Sequence, residues 1–359
     1  MSGENAAILR QSQIGVQADG ATGAEANVLL QSRSYMAVPV EPTDMRRARG
    51  KRVATAQVGM RGIGSTVTLE GYMAYNDETY TLQNLFGGGT VATPGGATNT
   101  RDWTWVLVSG GCLAPKYFSV ENGIDCSGFS ERWSRFVHSL LKSLTYDFDA
   151  CTVSGSGFGS RLAEEGITHT DAPTAIADVP MSPDMVDVYA HGTLANLWDA
   201  GSVLDDIYKT SFEINDVRGE RFPTRSTHPV AWVDTALRAF VHLEMEQGSV
   251  SNDRMTQLRT RGTKYIGIQV KGPVIEGAFS YRFRVTLAFK VNNPGRQDAD
   301  DLYQGMYDLE AVHDATLGGY GKIELRNKVA ALLATSGDLA AEEDPSDTDD
   351  GPIDDVPVV

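Results

Sequence analysis

Phe279-Ser280-Tyr281-Arg282-Phe283-Arg284-Val285-Thr286-Leu287-Ala288-Phe289-Lys290-Val291 is the stretch that decides the fold class. Its large apolar residues stand at 279, 281, 283, 285, 287 and 289 without a break, and Arg282, Arg284, Thr286 and Lys290 stand between them. Successive strand residues point to opposite faces, so this pattern is a long strand with one buried and one polar face. The same period of two runs outward in both directions. Val67 and Leu69 share a face, with Thr66, Thr68 and Glu70 opposite. Further strands are expected around Trp103, Trp105 and Leu107, and over 116–121, 136–149, 151–157, 208–215, 239–246, 264–271 and, as the last, 303–312. Two short helices interrupt them. Asn76 offers a cap, Asp77 and Glu78 a first turn, and Leu82, Leu85 and Phe86 an apolar face, before Gly87-Gly88-Gly89 stops the run. The second helix has Asn252 as cap, Met255 and Leu258 as its face, and Gly262 as its stop. The fold class is therefore mainly β, a sandwich or barrel-forming architecture with short flanking helices.

Composition agrees with a globular chain. Of 359 residues, 41% are hydrophobic and 22% charged, and 37 glycines suit many strands joined by turns. The beginning of the chain lacks the apolar core of a signal peptide, and no apolar run nears the ~20 residues of a membrane span, so synthesis in a cytosol and no membrane insertion are expected. The net charge of −16 is concentrated: residues 338–359 hold nine acids and no Lys or Arg. The net charge of the rest is then −7, which argues against a protein gripping nucleic acid over its whole surface.

Five regions follow. Residues 1–60 read as an extended N-terminal arm, in which Pro39 and Pro42 suit an edge segment. A basic knot at Arg46, Arg47, Arg49, Lys51 and Arg52 suits salt bridging to an acidic neighbouring subunit better than phosphate contact. Residues 61–165 form a first β domain, 166–185 a linker rich in Pro, Thr and Ala, 186–334 a second β domain, and 335–359 an acidic tail. Both halves read strand, helix, strand, long strand, strand. Lys116-Tyr117-Phe118-Ser119-Val120 occupies the slot of Lys264-Tyr265-Ile266-Gly267-Ile268, so one architecture is read as used twice.

No chemistry is marked out. The six histidines stand in no HExxH or clustered ligand spacing, and Cys112, Cys126 and Cys151 read as buried thiols. There is no GxSxG elbow and no Walker loop. Gly155-Ser156-Gly157-Phe158-Gly159 ends a strand without opening a helix, which makes it a poor phosphate cradle. No catalytic residue, metal or cofactor is expected.

Several stretches carry a resemblance. In the second half these are Thr263-Lys264-Tyr265-Ile266-Gly267-Ile268-Gln269, Val270-Lys271-Gly272-Pro273, Tyr281-Arg282-Phe283-Arg284-Val285, Asn293-Pro294-Gly295, Tyr307-Asp308-Leu309-Glu310, Val312-His313-Asp314-Ala315-Thr316 and Asn327-Lys328-Val329. In the first half Tyr117-Phe118-Ser119-Val120-Glu121-Asn122-Gly123 and Val153-Ser154-Gly155 correspond. This succession, over roughly residues 60–330, resembles the major tail tube proteins of siphophages. The resemblance implies a structural virion protein whose rings stack into a channel for DNA, with tape measure, terminator and distal tail proteins as neighbours. Two tube-like halves imply a trimeric, pseudo-sixfold ring; without the duplication a hexamer is implied. The bore should pass double-stranded DNA without holding it, which a basic wall would not do. Glu70, Asp147, Asp149, Glu244 and Glu246 are the residues expected to face it. The alternatives are a minor tail or tail terminator protein of the same fold, and a carbohydrate-binding β-sandwich with Trp103 and Trp105 as its platform.

Overall fold

The computed structural model describes residues 10–17, 25–39, 44–45, 57–58, 65–108, 115–124, 132–159, 161–167, 173–204, 207–215, 217–221, 231–234, 237–246, 264–299 and 302–333. The second expected helix, the basic knot and the acidic tail lie outside them.

Strands in the first half are Arg10–Val16 (β1), Val28–Leu29 (β2), Arg33–Pro39 (β3), Asp44–Met45 (β4), Gln57–Val58 (β5) and Ser65–Tyr72 (β6); then, after helix Asp77–Leu85 (α1), Thr90–Ala92 (β7), Arg101–Leu107 (β8), Phe118–Ile124 (β9), Arg132–Asp147 (β10), Thr152–Gly159 (β11) and Arg161–Ile167 (β12). The second half adds Thr174–Ala175 (β13), Val186–His191 (β14), Ile207–Asn215 (β15), Arg218–Arg221 (β16), Ala231–Asp234 (β17), Arg238–Glu246 (β18), Lys264–Glu276 (β19), Phe279–Ala299 (β20), Leu302–Ala311 (β21) and Gly321–Asn327 (β22). The mainly β class is what the alternating patterns required. One strand lies beyond the expected last one: β22, whose Ile323 and Leu325 are buried and whose intervening residues are not.

Two long strands act as spines. The first part of β10 is flanked by β9 and β12, its second part by β11 and β15. The first part of β20 is flanked by β19 and β22, its second part by β21. From β3 the order runs β6, β11, β10, β15, β18, β21, β20, and from β20 it branches to β22, β8 and β7 on one side and to β19 and β14 on the other. Among the described residues no path of pairings returns to a strand already used, so the sheet is open.

Strands from both halves share this sheet: Trp105 pairs with Ile323, and Tyr146 with Phe212. They also share one core. Tyr146 stacks on Phe212 at 6.2 Å between ring centroids and meets Phe283 at 5.3 Å. Trp103 and Trp105 stack in that core at 5.7 Å, 5% and 2% exposed, so they form no surface platform.

Where it is described, the stretch expected as an extended arm forms strands that pack on the rest of the chain. β1 pairs along β9 and β3 along β6, burying Ile14, Val16 and Tyr35. The free side of β3 is closed by side chains: the Ser12 hydroxyl accepts the Tyr35 N–H at 3.1 Å and donates to the Tyr35 carbonyl, and the Asn122 amide donates to the Ala37 carbonyl at 3.0 Å. Segment 166–185, read as a linker, also packs where it is described: β13 pairs parallel with β2, and Ile176 and Met181 are buried. From Val291 onward, by contrast, β20 pairs among the described residues with β21 alone.

Helix α1 starts and stops where its sequence implied. The Gly87 N–H donates to the Gln83 carbonyl at 2.8 Å, and Gly87 and Gly88 take φ +62° and +54°, values that side chains disfavour. Asn76 does not cap it; its amide donates to the Ala177 carbonyl and so ties the helix start to the segment before β14. Every residue of α1 is buried, including Asp77 and Glu78. The polar side of the helix is thus not a solvated face but part of the interior.

Candidate functional surface

Burying the polar side of α1 requires partners, because an unpaired charge in the interior costs several kcal/mol. Arg33 supplies them from β3. Its Nη2 lies 2.7 Å from Glu78 Oε1, with both side chains fully buried, and its Nη1 donates to Thr81 Oγ1 at 2.7 Å. The Tyr146 hydroxyl donates to Glu78 Oε2 at 2.8 Å. Burial alone would lower the Arg33 pKa, but the Glu78 charge and hydrogen bond outweigh it and push it up. Asp77, held by the Ser32 N–H and hydroxyl, has its pKa raised by burial. A second buried pair joins Arg135 Nε to Glu121 Oε1 at 2.6 Å, with the Gln13 amide donating to Glu121 Oε2 at 2.8 Å. Both networks tie the first forty residues to later strands. Linear spacing gave no sign of either: Arg33 and Glu78 are 45 residues apart.

The other face of the sheet carries two neighbouring rows rich in polar residues, with Phe240 in one of them and Val38 and Met306 exposed beside them. Directly opposed residues share a face, so register defines a row: Ser34, Glu70, Ser154, Thr145, Glu213, Phe240, Glu310 and Lys290, one from each of eight successive strands. The neighbouring row holds Tyr72, Thr152, Asp147, Ser211, His242, Asp308 and Asn293. Glu70, Asp147 and Glu244, expected from sequence to face a bore, all lie on this one face. Asp149 falls one turn beyond β10, and its carboxylate accepts the Thr210 N–H at 3.2 Å. Glu246 pairs through its backbone with Gln304, and its side chain lies outside the described residues.

Asp147 and Asp149 have local work. Asp147 Oδ1 accepts the N–H groups of Asp149 and Ala150 at 3.0 and 3.2 Å, closing the turn into β11. Asp149 borders a cavity of about 290 Å³ with Phe148, Val188, Leu204 and Ile207, and partial burial raises its pKa to about 6.

The face carries six described carboxylates (Glu70, Asp147, Glu213, Glu244, Asp308, Glu310) against Lys209, Arg238 and Lys290, a net of three negative charges with His242 neutral. Each of the three cations has a carboxylate: Lys209 with Glu244 at 3.3 Å, Arg238 with Glu310 at 3.5 Å, and Lys290 with Glu310 at 3.0 Å. His242 sits between Asp308, 2.6 Å from Nδ1, and Glu213, 3.4 Å from Nε2.

Among the described residues no group of three or more His, Cys, Asp and Glu is arranged to hold a metal ion, and no helix is long and apolar enough to cross a membrane. Gly155, Gly157 and Gly159 sit inside β11. A Cβ on Gly157 would fall 2.0 Å from the Leu140 carbonyl oxygen, so this glycine admits the irregular register of β10 near Leu141 and Ser143. Cys151 is buried, and burial raises its pKa to about 11, far from the range of a reactive thiolate. No protein-family model matches the chain, and no curated protein matches it.

Proposed function

We propose that the chain is a structural virion protein, the major tail tube subunit of a siphophage, whose rings stack into a conduit for double-stranded DNA. The observation that carries this reading is the pair of rows across the eight-strand face, rich in polar residues and net acidic, in which Lys209, Arg238 and Lys290 each lie beside a carboxylate. A polyanion beside such a wall releases no bound counterions from it and keeps its mobility; unpaired Lys and Arg would hold it. Among the described residues the sheet is open and β20 has a side without a partner strand beyond Val291. Unpaired strand backbone recruits further strands, and identical copies joined head to tail close into a ring when the rotation permits. The ring is trimeric with pseudo-sixfold symmetry if the two halves each act as one tube repeat, and hexameric otherwise. Tape measure, terminator and distal tail proteins are its neighbours, and the subunit itself performs no catalysis.

Negative-stain microscopy of the purified chain tests this. Long hollow tubes, or stacked rings, are the expected result. Single closed rings that never stack would favour a terminator of the same fold. A monomer at all concentrations would overturn the assignment. The carbohydrate-binding alternative has lost its motivation, since Trp103 and Trp105 are interior.

A further inference from the structure

The outward face formed by β14, β19, the first part of β20, β22 and β8 has the opposite electrical character. One cross-strand row is Lys271, Arg282, Arg326 and Asp102; the next is Asp187, Gln269, Arg284, Glu324 and Thr104; Lys322 stands in the third. Two of its five cations are neutralised nearby. Arg326 forms a two-bonded pair with Asp102, at 2.6 and 2.8 Å, and Lys271 lies 3.3 Å from Asp187. Arg282, Arg284 and Lys322 have no carboxylate within ion-pair distance among the described residues. Arg284 is fixed by its neighbours, donating to Gln269 Oε1 at 2.5 Å and lying 4.4 Å above the Trp198 ring. Half-burial and the adjacent guanidinium lower the pKa of both arginines, that of Arg284 to about 10. Glu324, opposite Arg284, offsets part of this charge, so five cations against Asp102, Asp187 and Glu324 leave the face a net of two positive charges in a chain of net charge −16.

We propose that the acidic C-terminal segment of the same chain, residues 338–355, lies across this face with its carboxylates on Arg282, Arg284 and Lys322. Three observations fit. The segment has nine acids and no Lys or Arg. Arg282 and Arg284 are two residues apart on a strand, about 6.6 Å. Glu342 and Asp344, or Asp347 and Asp349, present the same two-residue interval along an extended chain. The reach is sufficient as well. β22, which carries Arg326 and Lys322, ends six residues before Leu333, whose N–H donates to the Tyr80 hydroxyl at 3.3 Å. From Leu333 the nine residues to Glu342 span about 30 Å when extended. That exceeds the ~20 Å radius of gyration of a folded chain of this size. The occupancy is electrostatic and half-exposed, so it weakens with salt.

Zero-length carbodiimide cross-linking of the full chain at low ionic strength, read by peptide mass spectrometry, tests the proposal. Cross-links from Lys322 and Lys271 to acids within 338–355 are expected. They should fall at least about threefold in 0.5 M NaCl, where screening is nearly complete. They should fall similarly in the R282Q/R284Q variant and in an E342Q/E343Q/D344N/D347N variant, which leaves the sheet sequence intact should the arginine changes impair folding. In a mixture of isotopically labelled and unlabelled protein, the linked peptides should share one label. Equal cross-linking of the segment to Lys116, Lys142 and Lys209 would overturn the proposal. So would a majority of mixed-label pairs, which puts the segment on a second copy, or protection of Lys322 by duplex DNA with no segment cross-links.

Discussion

Replacing Arg33 with Met removes one member of a fully buried ion pair and leaves Glu78 behind. The guanidinium donates to Glu78 at 2.7 Å and to Thr81 at 2.7 Å; after the change Glu78 retains the Tyr146 hydroxyl, and no cation replaces the lost one. Stranding a buried charge in this way costs about 3–5 kcal/mol. With a urea dependence on the order of 3 kcal/mol per M, the unfolding midpoint should fall by about 1–1.7 M. The double variant R33M/E78L removes the stranded carboxylate too. Its remaining cost is the Tyr146 hydroxyl left without an acceptor, about 1–3 kcal/mol, so it should be more stable than R33M alone. Equilibrium urea unfolding followed by tryptophan fluorescence measures both. A shift below about 0.3 M for R33M, or a double variant no more stable than the single, would refute the claim that this pair is desolvated and mutually dependent.

Two further outcomes follow from single residues. Glu276 accepts hydrogen bonds from the Thr100 and Thr98 hydroxyls and from the N–H groups of Thr98, Asn99 and Thr100, which together lower its pKa to about 2. A carboxyl with a depressed folded pKa stabilises above its ordinary value and loses that contribution as pH falls through about 4.5 to 2, while the amide resonances of Thr98 and Thr100, which follow the folded state, should titrate with a midpoint near pH 2. E276Q should abolish that titration and speed tryptic cleavage after Arg101; unchanged resonances in the unmodified protein would contradict the assignment. G157A places a Cβ 2.0 Å from the Leu140 carbonyl oxygen, a backbone contact that cannot yield without breaking the β10–β11 register. It should lower the melting temperature by more than G95A, whose Cβ meets nothing within 4 Å, and equal melting temperatures would rule out the close approach.

The alternation in Phe279–Val291 was enough for strand class, because a period of two is a property of adjacent residues and needs no knowledge of the rest of the chain. The same holds for the stop of α1, set by the glycines that follow it, and for the acidity of Glu70, Asp147 and Glu244 on outward positions. Pairing partners are another matter. That β8 meets β22 and β10 meets β15, so that the two halves share a sheet and a core, depends on contacts between residues up to 226 apart. The packing of β1 and β3 was hidden for the same reason: Arg33 reads as a surface residue until Glu78 is beside it. Local pattern determined which face of each strand is apolar; only the folded sheet decided which strands join those faces into a core, one acidic wall and one arginine-bearing wall. Side-chain alternation is local, whereas charge compensation and edge closure are made by residues distant in the chain.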